Sequence, residues 1–574
     1  MNLNDFLIYD LETPEYCFLA SFYNVTEDKF YDFPINKFEN TLYKLINFIE
    51  KNIDFTFVGY NNLKFDNQVL NYILKNYENW YNLSNIEVSK KISKFASNEI
   101  ENSNYNIQPT YSEKEIPFNF LDLPCIWHFF NENKRVSLKQ LEFEMRSENI
   151  ENLEFELDKD FTYEEIYGKN GIIDYCHNDV INTFKFFEIT LGNTEKKLYK
   201  GKNKISDRKA MFEEFGLNCW NWDDVKIGAE WNKKDYLEKT KAKKEDLKPK
   251  KIIHYYGKKF GTFFPKTVSF ENPELKKFLN DLSNHYILKP KKGKKKQEFK
   301  FKFNKELTST IALGGIHSNE KGRFLKPKSN ELYIQLDIGS QYPNALRKYK
   351  VEPPHLKGWN NLIISKIERR LNYKKLFQET KDPKFGSLQE MGKLSLNGGM
   401  FGRLNTKNDW QEYPFGLAQV TIGCQLEILM TTEILLKNNI RVVSQNTDGL
   451  DVIIEKEKLD LLFDLIEKIE KQIGNFELGN FEYTVFEWIA QTSVNDYIAK
   501  KIGNFVNRQY KESTPEYKLK GDFEIDKELH KNSSFTIFPL AYFNYFANNI
   551  PVEEFINNHN DIYDFFARSN SGSN

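Results

Sequence analysis

The sequence predicts a chain of several domains, with an α/β domain first and an α+β domain after it. Alternating β-forming residues at 3–13 are followed in turn by strand and helix patterns up to about residue 200, which is typical of an α/β domain. An apolar strand at 331–337, three helical patterns and a pair of strands around residue 448 indicate the α+β part. The chain has 574 residues, 40% of them hydrophobic, which is enough for three or four domains with cores.

Composition argues against several classes of protein. No long apolar run is present that could cross a membrane, and the first residues lack the basic start and apolar stretch of a signal peptide. The five cysteines are scattered without a CxxC pair, which argues against a disulfide framework or a zinc site and fits a reducing cytoplasm.

Positive charge is clustered, although the net charge of the chain is −1. Lysine-rich runs lie at 241–251 and 289–296. Binding to phosphates depends on where Lys and Arg lie and not on the average charge, so both runs are compatible with a nucleic-acid partner. A solvated, flexible face without any ligand is an equal alternative for each run.

A first set of acidic residues lies within the first 200 residues. Two of them are two positions apart on the first predicted strand, so their side chains point the same way. Asp66 follows Asn62 and directly precedes a predicted helix at 67–76. Asp179 lies one turn after Tyr175 on a helix predicted at 172–187. Four carboxylates can hold two Mg²⁺ or Mn²⁺ ions, whereas each motif alone is common on solvated edges. The four carboxylates are Asp10, Glu12, Asp66 and Asp179, and the polar residues that accompany them are Asn62 and Tyr175.

A second set lies between residues 331 and 455. Asp337 ends an apolar strand and is followed by Ser340-Gln341-Tyr342-Pro343, and Asp448 lies between two further apolar strands. Two predicted helices between these aspartates carry polar pairs four residues apart, Arg370 with Lys374 and Lys393 with Asn397. Such pairs are common on exposed helices, but their position between the aspartates favours phosphate binding, because phosphoryl transfer needs charge neutralisation.

In this order, the motifs resemble those of B-family DNA polymerases, in particular phage members with a proofreading 3′→5′ exonuclease of the DEDDy type. The resemblance covers residues 5–560 and is specific in combination. It implies an RNase H-like exonuclease domain followed by a right-hand polymerase with palm, fingers and a short or incomplete thumb. Two Mg²⁺ or Mn²⁺ ions are expected in each active site. Their expected ligands are Asp10, Glu12, Asp66 and Asp179 in the first and Asp337 and Asp448 in the second, with Tyr175 orienting the attacking water.

The resemblance also implies contacts to the substrates. Tyr342 is expected beneath the incoming sugar, Arg370, Lys374, Lys393 and Asn397 at the triphosphate, and Phe401 at the nascent base pair. Asn62, Gly314, Gly315, Lys518 and Lys520 are expected at the DNA, with Lys520 as the preferred phosphate contact. Three assignments stay open: Ser137–Leu141 and Asp122 are either near single-stranded DNA or ordinary surface, and Asp451 is a weaker metal-ligand candidate.

Two departures from the family pattern put details in doubt. The usual Asp-Thr-Asp-Ser reads Asn446-Thr447-Asp448-Gly449 here, a variation that keeps the aspartate with the essential metal contact. After Asn397 the chain runs Gly398-Gly399-Met400-Phe401, one residue longer than the family pattern, which makes the place of Phe401 less secure than that of Lys393.

The resemblance divides the chain into six parts. They are 1–200 as exonuclease domain, 201–330 as basic connector and start of the palm, 331–357 as palm with the first aspartate, 358–415 as fingers, 416–530 as palm with the second aspartate and primer grip, and 531–574 as partial thumb and polar tail.

The function expected from these motifs is template-directed extension of a primer with dNTPs, with proofreading, for viral DNA replication in the cytoplasm of an infected bacterial host. The alternatives are a 3′→5′ exonuclease with a decayed polymerase domain and a non-catalytic DNA-binding replication protein. The expected partners are primer-template DNA and dNTPs. A helicase, a single-strand binding protein or a second polypeptide completing the thumb are further candidates, and no membrane is involved. Asp337 and Lys393 are 56 positions apart and Lys393 and Asp448 are 55 apart, too short to hold the two insertions of protein-primed relatives, so an ordinary nucleic-acid primer is expected.

Overall fold

The computed structural model divides the chain into two compact units. Residues 1–105, 107–131, 134–148, 150, 158–193, 203–290, 297–474, 480–525, 528–529 and 534–567 are described. Unit 1 comprises Met1–Asp224, Asp526–Phe535 and Asp561–Asn574, and unit 2 comprises Val225–Ile525 and Thr536–Asn560. Among the described residues, no helix is both long and apolar enough to cross a membrane.

Unit 1 is built on a mixed five-stranded sheet with the order β3-β2-β1-β4-β5. The first three strands are antiparallel neighbours, whereas β4 and β5 run parallel to β1. The carboxyl ends of β1, β4 and β5 therefore point the same way, which brings the residues after them to one edge of the sheet. The strands are β1 (Phe6–Glu12), β2 (Cys17–Asn24), β3 (Lys29–Asn36), β4 (Thr56–Gly59) and β5 (Asn119–Asp122).

Helices cover both faces of this sheet, so its strands are apolar on both sides. One core packs the sheet against α1, α2 and α3, and the other packs it against α4, α5 and α7. The helices are α1 (Leu42–Lys51), α2 (Asp66–Asn76), α3 (Asn85–Asn104), α4 (Leu123–Trp127), α5 (Leu138–Glu144), α6 (Tyr163–Tyr167), α7 (Ile172–Thr190) and α8 (Lys204–Phe215). The strand and the two helices that the sequence predicts for the first acidic set are confirmed.

Unit 2 contains a large antiparallel sheet with the order β11-β12-β10-β13-β14-β15, to which β9 adds beside β13. The strand β10 carries Asp337, the first aspartate of the second set, one residue before its end, and the hairpin of β11 and β12 carries the second, Asp448. The strands are β9 (Arg323–Leu325), β10 (Glu331–Ile338), β11 (Arg441–Asn446), β12 (Gly449–Glu455), β13 (Phe481–Ser493), β14 (Asp496–Val506) and β15 (Gln509–Lys520).

The helices of unit 2 lie between and beside these strands. The helix α14 is apolar at most of its positions and is mostly buried, and it packs with α15 against the sheet. The helices are α9 (Asp224–Thr240), α10 (Pro273–Asn284), α11 (Gln341–Lys348), α12 (Trp359–Thr380), α13 (Pro383–Leu396), α14 (Pro414–Lys437), α15 (Leu459–Ile473), α16 (Ile537–Asn548) and α17 (Val552–Asn558). The predicted helices at 361–378, 387–398 and 417–437 correspond to α12, α13 and α14.

The segment expected as a connector with short elements is more regular than the sequence predicts. It contains α8, α9 and α10, of 12, 17 and 12 residues, and a separate three-stranded sheet in the order β6-β7-β8. These strands are β6 (Glu298–Lys302), β7 (Thr308–Ala312) and β8 (Gly315–Ser318). The compact unit 1 also extends to Asp224, beyond the expected boundary at 200. The sequence does not reveal α8 and α9 because both have little apolar periodicity; they are placed by tertiary contacts.

Candidate active sites

In unit 1, β1, α2 and α7 bring the first acidic set together. Asp10 and Glu12 end β1, Asp66 begins α2 and Asp179 lies on α7. Single ligand atoms of Asp10, Glu12 and Cys176 lie within 4.8 Å of one another. Cys176 is buried and directs its Sγ towards the backbone oxygen of Asp10, at 3.6 Å. The charges of Asp66 and Asp179 act on both Asp10 and Glu12, so the four carboxylates predicted from the sequence share one site.

Burial raises the pKa of all four carboxyls, and their mutual repulsion raises the pKa of Asp10 and Glu12 further. The pKa of Glu12 rises to about 8 because of burial first and then of the charges of Asp179 and Asp66. Burial likewise raises the pKa of Asp66 to about 7, and it raises the pKa of Asp10 well above its ordinary value. One lysine, Lys139, offsets only part of this negative charge, and a divalent cation would supply more positive charge.

Asp66 offers a specific observation in favour of a cation. Its side chain is only 3% exposed, yet Oδ1 has no hydrogen-bond partner among the described residues. A buried carboxylate oxygen without a donor is costly unless an ion occupies the place. The donor set, carboxylate oxygens with a bias to hard cations, fits Mg²⁺ or Mn²⁺.

Lys139 is a cation in direct contact with this acidic cluster of unit 1. Its Nζ lies 2.6 Å from Oδ1 of Asp179 and 3.3 Å from Oε1 of Glu142, and 4.7 Å from the ring centre of Tyr175. It lies on α5, whose start is fixed by a capping box between Ser137 and Gln140. The open assignment of Ser137–Leu141 is thereby sharpened: this segment carries a lysine into the acidic site.

Glu142 is a further acidic residue at this site, absent from the set predicted from the sequence. It is fully buried beside Lys139, and burial raises its pKa to about 7. Glu142 lies one turn after Lys139, but a single glutamate on a helix gives no signal by itself.

Asn62 and Asp122 stabilise the loop before Asp66 through hydrogen bonds, and neither side chain is exposed to a DNA ligand in this structure. Asn62 is fully buried and donates from Nδ2 to the backbone oxygen of Leu121, at 3.1 Å. Asp122 accepts from the backbone N–H of Leu63 at 2.9 Å and from that of Cys125 at 3.4 Å, which caps α4. The expectation of a DNA contact at Asn62 is corrected on this ground, since a side chain without exposed surface supports the loop instead.

In unit 2, one cleft of about 1090 Å³ gathers most of the second set. Its walls come from the end of β10, the start of α11, the facing sides of α12 and α13, and the β11–β12 hairpin. The predicted site residues that line it are Asp337, Tyr342, Arg370, Lys374, Lys393, Asn397, Phe401 and Asp448, and Asn446 lines it as well.

The two aspartates are held close by strand pairing. Asp337 lies opposite Gly449 in the β10–β12 register, and the N–H of Ile338 donates to the backbone oxygen of Asp448 at 2.7 Å. A Cβ at position 449 would lie 2.5 Å from the backbone oxygen of Leu336 and 2.5 Å from Oδ1 of Asp337, so only glycine fits there. The departure from serine to Gly449 therefore results from the close approach of the two strands.

The replacement at Asn446 also has a local reason. Its Oδ1 accepts from the N–H of Thr447 at 2.8 Å, which stabilises the turn of the hairpin. Asn446 still lines the cleft, but its amide carries no charge to a cation.

Burial raises the pKa of Asp337 to about 7, against the lowering effect of Lys518. The charges of Asp451, Asp448 and Glu482 raise it further. Glu482 lies directly opposite Asp337 in the β10–β13 register and lines the cleft. Glu482 is absent from the set predicted from the sequence because cross-strand pairing joins residues that are far apart in the chain.

Asp451 is not available as a metal ligand in this structure. Its Oδ2 accepts from the hydroxyl of Tyr333 at 2.8 Å and its Oδ1 from Nε2 of Gln335 at 3.0 Å. Both oxygens are engaged in the sheet, so the weaker candidate is set aside.

The cationic wall is formed by α12 and α13. Lys374 and Lys393 are exposed into the cleft, and Nη1 of Arg370 donates to the hydroxyl of Ser340 at 2.7 Å. Ser340 has a left-handed backbone, φ 50°, at the turn from β10 into α11. Non-glycine residues rarely adopt this conformation, and such strain is frequent at functional sites.

The extra residue before Phe401 is absorbed by a π turn at Asn397–Phe401. In this turn the N–H of Gly402 bonds to the oxygen of Asn397, five residues back, so one residue is accommodated without rotating the chain beyond the turn. Phe401 is returned to the cleft, where its ring stacks on Tyr342 with centres 4.2 Å apart. The structure therefore places Phe401 beside Tyr342 despite the longer spacing.

Lys518 and Lys520 lie on β15, beside a smaller cavity of about 190 Å³ that also reaches Asp337 and Asp448. Lys518 is the nearer: its Nζ is 4.0 Å from Oδ2 of Asp337 and donates to Gln335 at 2.6 Å. Lys520 is exposed at the rim. Gly315 is partly exposed, and a Cβ there would lie 2.4 Å from Oγ1 of Thr447, whereas Gly314 is exposed with open space around it.

Comparison with known proteins gives little further information. No family model matches the sequence, and no curated protein matches it. Among solved structures, the chain is similar to the family B DNA polymerase of the hyperthermophilic archaeon Pyrobaculum calidifontis, with 13% identity and a TM-score of 0.42. The match covers 90% of this chain and 60% of that polymerase. The activity of the chain is therefore inferred from its own residues.

Proposed function

We propose that the chain is a template-directed DNA polymerase that extends a primer 5′→3′ with dNTPs and edits with a 3′→5′ exonuclease. The observation that carries the proposal is the cleft of unit 2, where two aspartates face three cationic side chains and a tyrosine. These residues come from segments up to 111 positions apart, from Asp337 to Asp448. Their convergence is what phosphoryl transfer from a triphosphate requires.

Each part of the cleft has a role in this proposal. Asp337 and Asp448 would hold two divalent ions, which when bound neutralise charge on the reacting phosphate. Arg370, Lys374 and Lys393 bind the triphosphate through charge-assisted hydrogen bonds. The stacked rings of Tyr342 and Phe401 form an apolar wall against which the sugar and base of the incoming nucleotide would be positioned. Under this proposal the β10–β12 sheet, the α12–α13 pair and the helices after β15 are palm, fingers and a short thumb.

The second activity is assigned to unit 1. The mixed sheet with helices on both faces supports the RNase H-like expectation, and the four clustered carboxylates support a site for two Mg²⁺ or Mn²⁺ ions. Tyr175 is hydrogen-bonded to Asp179 and would orient a water molecule. Lys139, paired with Asp179, is suited to stabilise negative charge on the phosphate that is cleaved.

The same proposal includes a biological setting. Replication of phage DNA in the cytoplasm of a bacterial host, from a nucleic-acid primer and with a helicase or a single-strand binding protein as partner, is inferred from the motif resemblance. The local task of Asn446 in the hairpin turn supports an active polymerase over a decayed one, because the replacement leaves the place of Asp448 intact.

The test is primer extension with Mg²⁺ and dNTPs on a primed template. Asp448→Asn and Asp337→Asn should each lower the rate by about a thousandfold or more, as expected when charge stabilisation in the transition state is removed. Asp464→Asn, at an exposed carboxylate that pairs with Arg508, is the matched control and should extend at the wild-type rate.

Two results would contradict the proposal. If wild-type protein degrades the primer but never extends it, the chain is an exonuclease with a decayed polymerase. If neither activity is seen but DNA is bound, the chain is a DNA-binding replication protein.

A further inference from the structure

The three-stranded sheet β6-β7-β8 has one apolar and one polar face. Phe301 points from β6 to the core and packs on Phe278 of α10, with ring centres 5.3 Å apart. Because side chains alternate along a strand, Lys300 and Lys302 point to the opposite, outer face. The outer face is solvent-exposed at both lysines.

This sheet abuts the hairpin that carries Asp448. Ser318 of β8 accepts from the N–H of Gln445 at 2.6 Å and donates to its backbone oxygen at 3.1 Å. Thr447 donates to the backbone oxygen of Ile316 at 3.4 Å. The strand β8 is thus beside the catalytic hairpin. The strand β6 lies two strand spacings, about 10 Å, further away.

A row of polar side chains crosses the outer face. Lys300 lies opposite Thr310, and Thr310 lies opposite His317, so the row runs from β6 to the strand beside the hairpin. Its middle member, Thr310, is buried (2% exposed), whereas Lys300 is exposed and His317 is partly exposed. Lys302 lies opposite Thr308 in the neighbouring row. In the described part of the chain, neither lysine forms an ion pair, and the outer side of β6 contributes one acidic residue, Glu298. The next acidic residue, Glu306 in the turn after β6, pairs with Arg441.

The edge beyond β6 adds exposed lysines and an exposed aromatic ring. Gln297, just before β6, donates to the backbone oxygen of Tyr286 at 3.1 Å and accepts from the N–H of Leu288 at 2.7 Å. Tyr286 is 54% exposed, and Nζ of Lys259 lies 5.8 Å from the centre of its ring. Lys258 is exposed next to Lys259.

The charge of this part of the sequence is far from that of the chain as a whole. Residues 253–318 contain fourteen lysines and five acidic residues, a net charge of +9 in a chain whose net charge is −1. Five of these lysines lie at 291–296, outside the described residues. A local excess of this size attracts polyanions even when the mean charge is near zero.

We propose that the outer face of β6-β7-β8 and its Tyr286 edge bind the unpaired template strand as it approaches the catalytic cleft. Lys300, Lys302 and His317 would contact its phosphates, and Tyr286 would stack on a base. Cationic grooves with an exposed aromatic platform bind single strands in this way, without sequence preference. The inference rests on the proposed polymerase function and names the surface that guides its template.

The experiment measures binding of primed template by fluorescence anisotropy without divalent ions, over a series of salt concentrations. One template has a single unpaired nucleotide beyond the primer, and the other has about twelve, a length that single-strand sites cover. Lys300→Gln with Lys302→Gln should weaken binding of the long overhang severalfold and leave the short one unchanged. The slope of log K against log salt should fall by about 1.4 for the long overhang, about 0.7 for each lost phosphate contact.

The matched control is Lys276→Gln with Lys277→Gln, on α10, which covers the opposite, apolar face of the sheet. It removes the same charge and should leave both templates unaffected. Tyr286→Ala should weaken the long overhang about tenfold, whereas Tyr286→Phe should bind as wild type, because stacking needs only the ring.

Equal losses on both overhangs, or equal losses in the α10 control, would overturn the inference. Failure of the template surface can be distinguished from failure of the proposed polymerase function. Normal primer extension with no overhang-dependent loss refutes only the template surface. Overhang-dependent binding without any primer extension supports the surface and refutes the polymerase.

Discussion

Tyr342 and Phe401 form a stacked pair in the cleft of unit 2, and we expect the ring of Tyr342 to act as a steric gate against ribonucleotides. Replacing Tyr342 by Val or Ala removes the ring beneath the expected 2′ position of the incoming sugar. Incorporation of ribonucleotides relative to deoxyribonucleotides should rise at least about tenfold, which corresponds to about 1.4 kcal/mol. Tyr342→Phe keeps the ring and should keep the preference. An unchanged ratio in the Val and Ala variants, measured in competition between rNTP and dNTP, would show that Tyr342 is not the gate.

Asp122 gives a prediction on pH and stability in unit 1. Burial raises the pKa of Asp122 to about 6, above the ordinary 3.8. Between these values the folded state binds more protons than the unfolded state, so this group's contribution to stability falls as pH rises from about 4 to 6. Asp122→Asn lacks the titration, and its stability relative to wild type should therefore rise over that interval, by up to about 3 kcal/mol.

The measurement is hydrogen exchange of the β5 amides, which reports the opening free energy of this part of unit 1. Above pH 6 the Asn variant should still be less stable than wild type by about 1–3 kcal/mol. The reason is that its NH₂ group would face the backbone N–H of Leu63, which in wild type donates to a carboxylate oxygen of Asp122. Asp54→Asn, at an exposed position, is the control. A difference between Asp122→Asn and wild type that does not change with pH would contradict the assignment.

Residues that carry a local signal could be predicted from the sequence, and those that depend on pairing could not. Asp10 and Glu12 can be predicted to share a site because strand alternation places them on one face. Tyr175 and Asp179 can be predicted to do so because of their helical spacing. Glu482 cannot be predicted from the sequence, since only the register of β10 and β13 puts it opposite Asp337. The same holds for Gly449, whose necessity appears only when the two strands are brought together.

Among the structural elements, the π turn at Asn397–Phe401 contains two neighbouring glycines whose replacement by alanine should have different effects. A Cβ at Gly399 would lie 2.8 Å from the backbone of Gly228 in α9, whereas one at Gly398 would make an ordinary contact, 3.6 Å from Val225. Gly399→Ala should therefore separate the turn from α9, displace Phe401 and lower nucleotide incorporation by about tenfold or more, with a loss of stability of about 1–3 kcal/mol. Gly398→Ala should be close to wild type in both respects.

The two alanine variants differ in position by one residue, so each serves as the control of the other. Incorporation is measured as single-nucleotide addition, and stability as urea unfolding. If both variants behave alike, the close packing of the turn on α9 does not position Phe401.

Elements with strong periodicity were predicted close to their observed bounds, and elements formed by tertiary contacts were not. The helix α14 is apolar at most of its positions, so its place inside unit 2 follows from its composition. The helix α9 has polar residues on all sides and is stabilised by contacts such as the hydrogen bond from Asn232 to the backbone oxygen of Ser395, at 3.0 Å. No window of the sequence around α9 contains that information.

The whole molecule is discontinuous in sequence in a way that the motifs do not reveal. The chain leaves unit 1 near Asp224, and residues 561–567 belong to unit 1 again. Arg146 binds Asp561 and Asp564, and the hydroxyl of Tyr563 donates to the backbone oxygen of Ser147 at 2.9 Å. The expected thumb and tail at 531–574 is therefore divided: α16 and α17 lie in unit 2, and the segment from 561 packs on unit 1. The expected polar tail at 569–574 lies outside the described residues.

Because the two acidic sites lie in different compact units, their activities should be separable. The carboxylates of Asp10 and Glu12 belong to unit 1, and Asp337 and Asp448 belong to unit 2. Asp10→Ala with Glu12→Ala should abolish 3′→5′ degradation of a labelled primer, by a factor of about a thousand or more, since ions could no longer be held there. Extension by the same protein should stay within about twofold of wild type, and Asp448→Asn should give the reciprocal result. Both reactions are followed on one gel, with and without dNTPs. A loss of extension as large as the loss of degradation in the double variant would show that the two sites do not act independently.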